Sequence, residues 1–565
     1  MGPFIDLFGD LARASTFRML QASAILGVCF HIAIARASLE FEQYMFPCLA
    51  FASLLNIGGT FVAFINGRQS VAGVIVQAFI LWTGFIVGCL ASISSYRLFL
   101  HRCRSFPGPV AAKLTRFYAA HLNAKDTQFY QELDELHKKY GDYLRMGPRE
   151  VSILDPAAIP IIYGPNTKCT KSTWYTINGL DSDRVSINGM RDTVKYRLRR
   201  RPWDRGTSIK ATKSYEPRIK AHTDMLVQQL RIRADQPLDI STWSFFYSFD
   251  VMGDLGFGKP FTNMETGEEH PGIRAMHDHM WILGVVQAIP WLPVLVSAIP
   301  GANVGLEEFF GICENVLEQK KKNFDNEKEP TDIVGWLLKA IQEKEPSASP
   351  TKESLSDDTR GVIIAGSDTT ANTLANALFF LTKHPERQQK LRKFAEAALP
   401  SGYASWDYAR VKSISYLDDI INETLRLKPP VIQGTPRETP AKGIRIGNKY
   451  IPGYVNVSVP MTPIQRDARR WKQPHEFIPE RWTEMKDEMN TDSGPWFPFQ
   501  MGMHACVGKN LAYLTLRTAL TAIVLNFDIT FAPGETGDEF DGNYLSSLMM
   551  TLRPLQLIFT PRSAS

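Results

Sequence analysis

Between Met19 and Tyr96 the chain carries three apolar stretches, Met19–Ala35, Tyr44–Phe64 and Val71–Tyr96, that contain no Asp, Glu, Lys or Arg. A membrane-spanning helix needs about 20 apolar residues, a length the second and third stretches meet. The first has seventeen residues with His31 among them, so an interfacial or core helix is the alternative there. A cleaved signal peptide fits poorly, because the leading "MGPFIDLFGDLARASTFR" holds Asp6 and Asp10 and the apolar pattern repeats instead of ending at a cleavage site. Arg97, Arg102 and Arg104 follow the third stretch, and basic residues so close to a span favour the cytoplasmic side. The expectation is a membrane region over residues 1–104 with about three spans, Met1 on the lumenal side, and the rest, 105–565, in the cytosol. Pro107 and Pro109 around Gly108 make "FPGP" a stiff hinge between them.

Helical periodicity dominates the rest, as in "DTQFYQELDELHKKYG" and "LAYLTLRTALTAIVLNF", while "YGDYLRMG", "REVSIL", "IRIGNKYIPGYVNVSVP" and "RPLQLIFT" are short β-prone pieces. The fold class is therefore mainly α with small β-sheets. Trp281–Pro300 is uncharged, but Pro290, Pro293 and Pro300 argue against a continuous helix and for an apolar element dipping at the surface. A net charge of +5 over 565 residues gives no strong field for nucleic acid. Seven scattered cysteines, Cys29, Cys48, Cys89, Cys103, Cys169, Cys313 and Cys506, form no C-x-x-C pair and argue against a disulfide framework or a zinc module.

One of these cysteines stands apart. A buried free cysteine is usually a small hydrophobe, yet Cys506 sits in "FQMGMHACVG" with Phe499, Gly502 and Gly508 at fixed spacing. A thiolate that binds iron needs an apolar pocket, backbone N–H donors aimed at sulfur and close approach of chain to cofactor. Phe499 would pack beside the cofactor, Gly502 would make the turn, Cys506 would be the ligand and Gly508 would give clearance. A helix starting near Val507 would turn its positive end toward the sulfur. The pattern F-x-x-G-x-x-x-C-x-G resembles the ligand loop of the cytochrome P-450 family of haem-thiolate monooxygenases, especially fungal membrane-bound members. His504 stands where that family usually has an arginine for a haem propionate.

Three further motifs follow the same resemblance. "AGSDTT", Ala365–Thr370, puts four polar residues in an apolar helix, which simple back-bonding to the preceding turn would explain. The resemblance instead makes Asp368 and Thr369 a proton-delivery pair and leaves room for dioxygen at Gly366. "ETLR" spaces Glu423 and Arg426 three apart on one helix face, and a surface ion pair is the bland reading. By resemblance Arg481 of "FIPERW" completes a buried Glu-Arg-Arg cluster with them. The basic run "KYRLRRRPWDRG" is a solvated face, a sorting signal or a nucleic-acid patch by charge alone. By resemblance it precedes a helix near the propionates and the reductase-facing surface, with Arg199, Arg200, Arg201 and Trp203 undistinguished. Arg437 of "TPRETP" is the better propionate candidate.

Over roughly Phe106–Arg562 the resemblance implies haem b, held by Cys506 between the "AGSDTT" helix and the ligand loop. It implies insertion of one oxygen atom of O2 into a lipophilic small molecule, in specialised metabolism. No flavin domain or G-x-G-x-x-G is found, so electrons would come from an NADPH-dependent reductase docking near Lys509 at the endoplasmic reticulum membrane. A reductase-independent haem-thiolate isomerase and a non-catalytic membrane haem sensor are the rival readings.

Overall fold

The computed structural model describes residues 15–36, 50–54, 57–58, 70–179, 181–293, 299, 301, 304–547 and 549–562. It separates into two units, residues 1–115 and 116–565.

In the first unit α1 (Thr16–Arg36) packs against α2 (Val71–Ser95). Both are long and apolar enough to cross a membrane. Small residues bring the two backbones together. A Cβ at Gly88 would lie 2.0 Å from the Ala24 carbonyl oxygen, and one at Gly27 would lie 2.3 Å from that of Phe85. Ser23-x-x-x-Gly27 on α1 thus meets Gly84-x-x-x-Gly88 on α2, the small-residue spacing that lets membrane helices approach closely. The contacts also fix direction. Ser23 faces Gly84, Gly27 faces Cys89, and His31 shares a 2.8 Å hydrogen bond with Ser92. Positions advance together along both helices, so α1 and α2 run parallel. The middle predicted stretch, Tyr44–Phe64, lies mostly outside the described residues; those of it that are described are helical.

The second unit is mainly α with small sheets, as the periodicity predicts. Strands β1 (Tyr143–Gly147), β2 (Glu150–Ile153), β3 (Thr170–Lys171), β4 (Arg437–Glu438) and β5 (Asn456–Ser458) form one sheet in the order β1-β2-β5-β4-β3. In it β3 and β4 are antiparallel, with Lys171 directly opposite Arg437.

Six helices position the site: α3 (Thr193–Gly206), α4 (Ile240–Phe257), α5 (Pro271–Val286), α6 (Lys352–Lys383), α7 (Ser415–Leu427) and α8 (Lys509–Asn526). The longest, α6, is started by a capping box between Thr351 and Ser354. Its second half is buried on every side, because α4, α7 and α8 all pack against it. Leu374, Leu378, Phe379, Ile420, Leu514 and Leu520 form the centre of this core.

Two expectations gain detail. The basic run precedes the helix Ile209–Ile232, as expected, but is itself helical: Asp192 caps α3 by accepting the N–H groups of Val194 and Lys195, and the helix continues through Pro202 to Gly206. Proline there removes one backbone donor near the end of the helix, and α3 stops within a turn. Of the apolar element Trp281–Pro300, the described part is the end of α5 followed by turns, with Ile289 and Pro290 buried, while residues 294–298 and 300 lie outside the described residues.

Candidate active site

A cavity of about 1150 Å³ opens between α6 and the loop that leads into α8. Cys506 lines it from that loop, and Thr369 lines it from α6. The Cys506 N–H donates to the Phe499 carbonyl at 2.8 Å, which closes the loop into a tight curl. Gly502 holds the left-handed conformation the curl needs (φ 64°), and a Cβ there would meet the backbone of Tyr163 and Gly164 at 2.6–2.7 Å. Gly502 therefore belongs to the turn and to chain packing, off the cavity. Phe499 lines the cavity and packs on Tyr513, with ring centroids 5.4 Å apart. Gly508 lines it too and caps α8.

The sulfur's surroundings pull in two directions. Burial pushes the Cys506 thiol up, while N–H groups of Gly508 and Lys509 and the charges of Arg200 and Lys509 favour the thiolate. The N-terminus of α8 supplies those two N–H groups, so the sequence expectation of a helix dipole at the sulfur has a concrete form.

The cavity's opposite rim is cationic. Lys171 and Arg437, facing each other across β3 and β4, are both buried and both line the cavity. No carboxylate lies within 4 Å of either among the described residues. Lys171 donates to the carbonyls of Ile187 and Asn188 at 2.6 and 2.7 Å, and Arg437 donates to the Tyr175 hydroxyl at 3.2 Å. Burial holds the Lys171 ammonium well below its usual pKa, and Arg437 and Arg200 lower it further. Like charges directly opposite each other in a sheet are destabilising, so this pair is arranged for an anion. His504 completes the wall. Its ring packs edge-on against Tyr196 at 4.5 Å, neither ring nitrogen has a hydrogen-bond partner among the described residues, and burial with the neighbouring Lys171, Arg437, Arg200 and Arg197 drives it down to about 2. At neutral pH it is an uncharged donor beside the two cations.

The basic run resolves residue by residue. Successive positions on a helix point about 100° apart, and here they part company. Arg199 turns inward to Asp358 of α6. Arg200 donates to the carbonyls of Met503 and Ala505, both at 2.8 Å, clipping the cysteine loop to α3. Arg201 is exposed, and Trp203 lines the cavity with its Nε1 lacking a partner among the described residues.

Asp368 and Thr369 also diverge. The Thr369 hydroxyl donates to the Ala365 carbonyl at 2.8 Å from the cavity side, so the bland back-bonding is present. Asp368 faces away toward α5, almost fully buried, and burial pushes its carboxyl up to about 6; His277 opposes the rise and Glu269 adds to it. Gly366 lines the cavity, but the space its missing Cβ leaves is taken by the thioether of Met252, 2.5–3.1 Å from where a Cβ would stand.

Glu423, Arg426 and Arg481 are fully buried. The Glu423 carboxylate accepts from Arg426, Arg481, the Ile478 N–H and the Trp482 indole at 2.8–3.1 Å. Arg426 also donates to the carbonyls of Gln465, Pro474 and Glu476, and Arg481 to those of Lys472 and Gln473. This is a closed network, unlike a solvated surface bridge.

Sequence reasoning missed Lys171 and Gln500, which line the cavity, and His277, which faces Asp368. Gln500 lies unremarked within the ligand loop, whereas Lys171 and His277 stand in no motif and are brought to the site by tertiary packing.

The Cytochrome P450 family model matches residues 107–559. A cytochrome P450 monooxygenase of Eupenicillium brefeldianum is 39% identical over 87% of this chain and 99% of its own length. Another, of Fusarium pseudograminearum, is 33% identical over 95% of this chain and 97% of its own length. The tryprostatin B 6-hydroxylase of Aspergillus fumigatus is 30% identical over 96% of each chain. With a cysteine loop, a long crossing helix and a cavity between them, and with that match over most of its length, the chain belongs to the cytochrome P450 family, as a fungal-type monooxygenase.

Proposed function

We propose that this enzyme binds haem b through Cys506, takes electrons from an NADPH-dependent reductase, and oxygenates a lipophilic small molecule in specialised metabolism. The observation that carries the reading is Cys506, open to the cavity at the N-terminus of α8 and across from the buried Lys171 and Arg437, which have no carboxylate within 4 Å among the described residues. The residues present fit the cofactor: a sulfur ligand on one wall, uncompensated cations for two propionates on another, and apolar lining between. When bound, the haem supplies the iron centre at which O2 is activated and one oxygen atom is delivered to a C–H bond or alkene.

The protein's own contributions follow from its contacts. Arg200 holds the loop carbonyls so that the sulfur stays in place. Arg437, Lys171 and neutral His504 would hold the propionates. Phe499 and Gly508 would flank the cofactor. Thr369 would release its bond to the Ala365 carbonyl to hold a proton at the cavity wall, and Asp368 would replenish it. Trp174, Met280, Ile282, Phe309 and Phe310 line the space left for substrate and favour an apolar, partly aromatic molecule.

Removing one propionate partner tests the rim. A hydrogen bond to a charged group contributes roughly 1.5–3 kcal/mol, so Arg437→Gln is expected to speed haem transfer to an acceptor apoprotein about tenfold or more while the thiolate-type carbonyl band keeps its position. Unchanged haem retention would remove Arg437 from the rim. For the whole reaction, the enzyme with reductase, NADPH and labelled O2 is given the lipophilic metabolites of its producing cells. One labelled oxygen atom in a product is expected; an unlabelled, NADPH-independent rearrangement would favour the isomerase reading.

The parallel packing of α1 and α2 supports a three-span topology. Two helices that both cross a bilayer in the same direction require the chain to return between them, and Tyr44–Phe64 is apolar and uncharged enough to do so. With Arg97, Arg102 and Arg104 cytosolic, Met1 is lumenal at the endoplasmic reticulum membrane. A tag at Met1 is therefore expected to resist protease in sealed microsomes, and its digestion would refute three spans.

A further inference from the structure

The buried carboxylate of Asp368 has its Oδ1 without a hydrogen-bond partner among the described residues. That oxygen lies 4.0 Å from Nε2 of His277, and Nδ1 of the same ring lies 2.6 Å from Glu269. The Glu269 and His277 side chains are about one quarter exposed, whereas Asp368 is 5% exposed. Carboxylate, imidazole and carboxylate thus stand in line from the surface to the inside of α6. The ring is held in that line by the edges of Phe245 and Phe249 from α4, at 5.0 and 6.1 Å between centroids. Among the described residues Arg274 also stands at the outer end, 3.8 Å from Glu269, and Glu308 of the neighbouring helix is felt by His270.

We infer that Glu269 and His277 form the path by which solvent protons reach Asp368. The inference rests on the reading of Asp368 as the source that replenishes Thr369. The Glu269 carboxylate, 2.6 Å from Nδ1, stabilises a doubly protonated imidazole. The imidazolium passes its Nε2 proton to Oδ1 of the Asp368 carboxylate, which leaves a neutral ring and a carboxylic acid. The neutral ring keeps its Nδ1 proton, so Nε2 regains a proton from solvent when the partly exposed ring swings outward, which restores the imidazolium, and Asp368 returns to carboxylate when it hands its proton inward. The 4.0 Å gap exceeds a hydrogen bond and is closed by one bridging water or a small rotation of the Asp368 side chain. His277 acts through Asp368 and is a positioning and proton-conducting residue, distinct from the groups at the reacting atoms. A histidine that only paired with Glu269 at the surface would need no alignment with a buried, unpartnered oxygen.

The test compares His277→Gln with Asp368→Asn as holoenzymes carrying normal carbonyl spectra. His277→Gln is expected to lower turnover about tenfold, less than the 10²- to 10⁴-fold typical of a direct general acid because water partly replaces the ring. The solvent deuterium isotope effect on turnover should rise with it. A second readout is independent of activity. The infrared C=O band of protonated Asp368, identified by its loss in Asp368→Asn, should titrate near pH 6 in the wild type. Its midpoint should move up in His277→Gln, since a cation that favours the carboxylate is gone. If Asp368→Asn slows turnover while His277→Gln matches the wild type in rate, isotope effect and midpoint, the path is wrong and the role of Asp368 stands. If Asp368→Asn itself turns over normally, the role of Asp368 falls and the path with it.

Discussion

Replacing Cys506 by alanine is expected to abolish the thiolate-type ferrous-carbonyl band and all reductase-dependent product, with the chain still folded. The loop does not depend on the sulfur for its shape: the hydrogen bond that closes it runs from the Cys506 backbone N–H to Phe499, and Arg200 clips it through the carbonyls of Met503 and Ala505. Among the described residues no second cysteine can substitute. Among the described cysteines Cys506 is the one that lines the cavity. Cys169 and Cys313 are buried, and burial pushes their thiols up to about 11 and about 12, out of reach of the thiolate form at neutral pH. The measurement is the reduced carbonyl difference spectrum of purified Cys506→Ala beside Cys506→His. A nitrogen ligand should keep some iron but move the band, because the donor has changed. A wild-type band in the alanine variant would end the assignment.

Glu423→Ala should be nearly as damaging by a different route. One carboxylate there neutralises two fully buried guanidiniums, and deleting it strands both. Breaking a buried charge set in this way costs about 3–5 kcal/mol, a large fraction of the roughly 5–15 kcal/mol that holds a typical domain folded. The network ties α7 to the segment Gln465–Trp482, so its loss frees α7, whose Leu425 lines the cavity. Little or no holoenzyme is expected from Glu423→Ala, and a reduced yield from Glu423→Gln, which preserves the shape and loses the charge. A Glu423→Ala protein with wild-type yield and thermal midpoint would show that the three residues are not coupled in solution.

Contiguous motifs were legible because their chemistry is local. The spacing of Phe499, Gly502, Cys506 and Gly508 describes one loop, and Glu423 with Arg426 lies within one helical turn, so residue type and separation alone locate them. Helices were legible from period, whereas Thr170–Lys171, Leu238–Asp239 and Arg437–Glu438 are two-residue strands too short for any alternation. That is why Lys171 went unnoticed: its meaning comes from lying opposite Arg437, some 270 residues later in the chain. His277 carries no signal in "MHDHMW" because its partners sit on a loop and on α6. The basic run could be read as charge but not apportioned, since its four candidates face different neighbours once α3 is packed.

The close fit between Gly366 and Met252 bears on how such an enzyme changes its regioselectivity. The crossing helix carries a notch at Gly366, and a flexible thioether from α4 fills it while also lining the cavity. Methionine adapts its shape at low energetic cost. A methyl group at Gly366 would have to displace the Met252 side chain from Cγ outward, which would then move along the cavity wall, and shortening Met252 would deepen the floor without touching α6. The seat of the substrate, and so the carbon it presents for oxidation, is thereby adjustable from a neighbouring helix, apart from the residues proposed to hold the cofactor and supply protons.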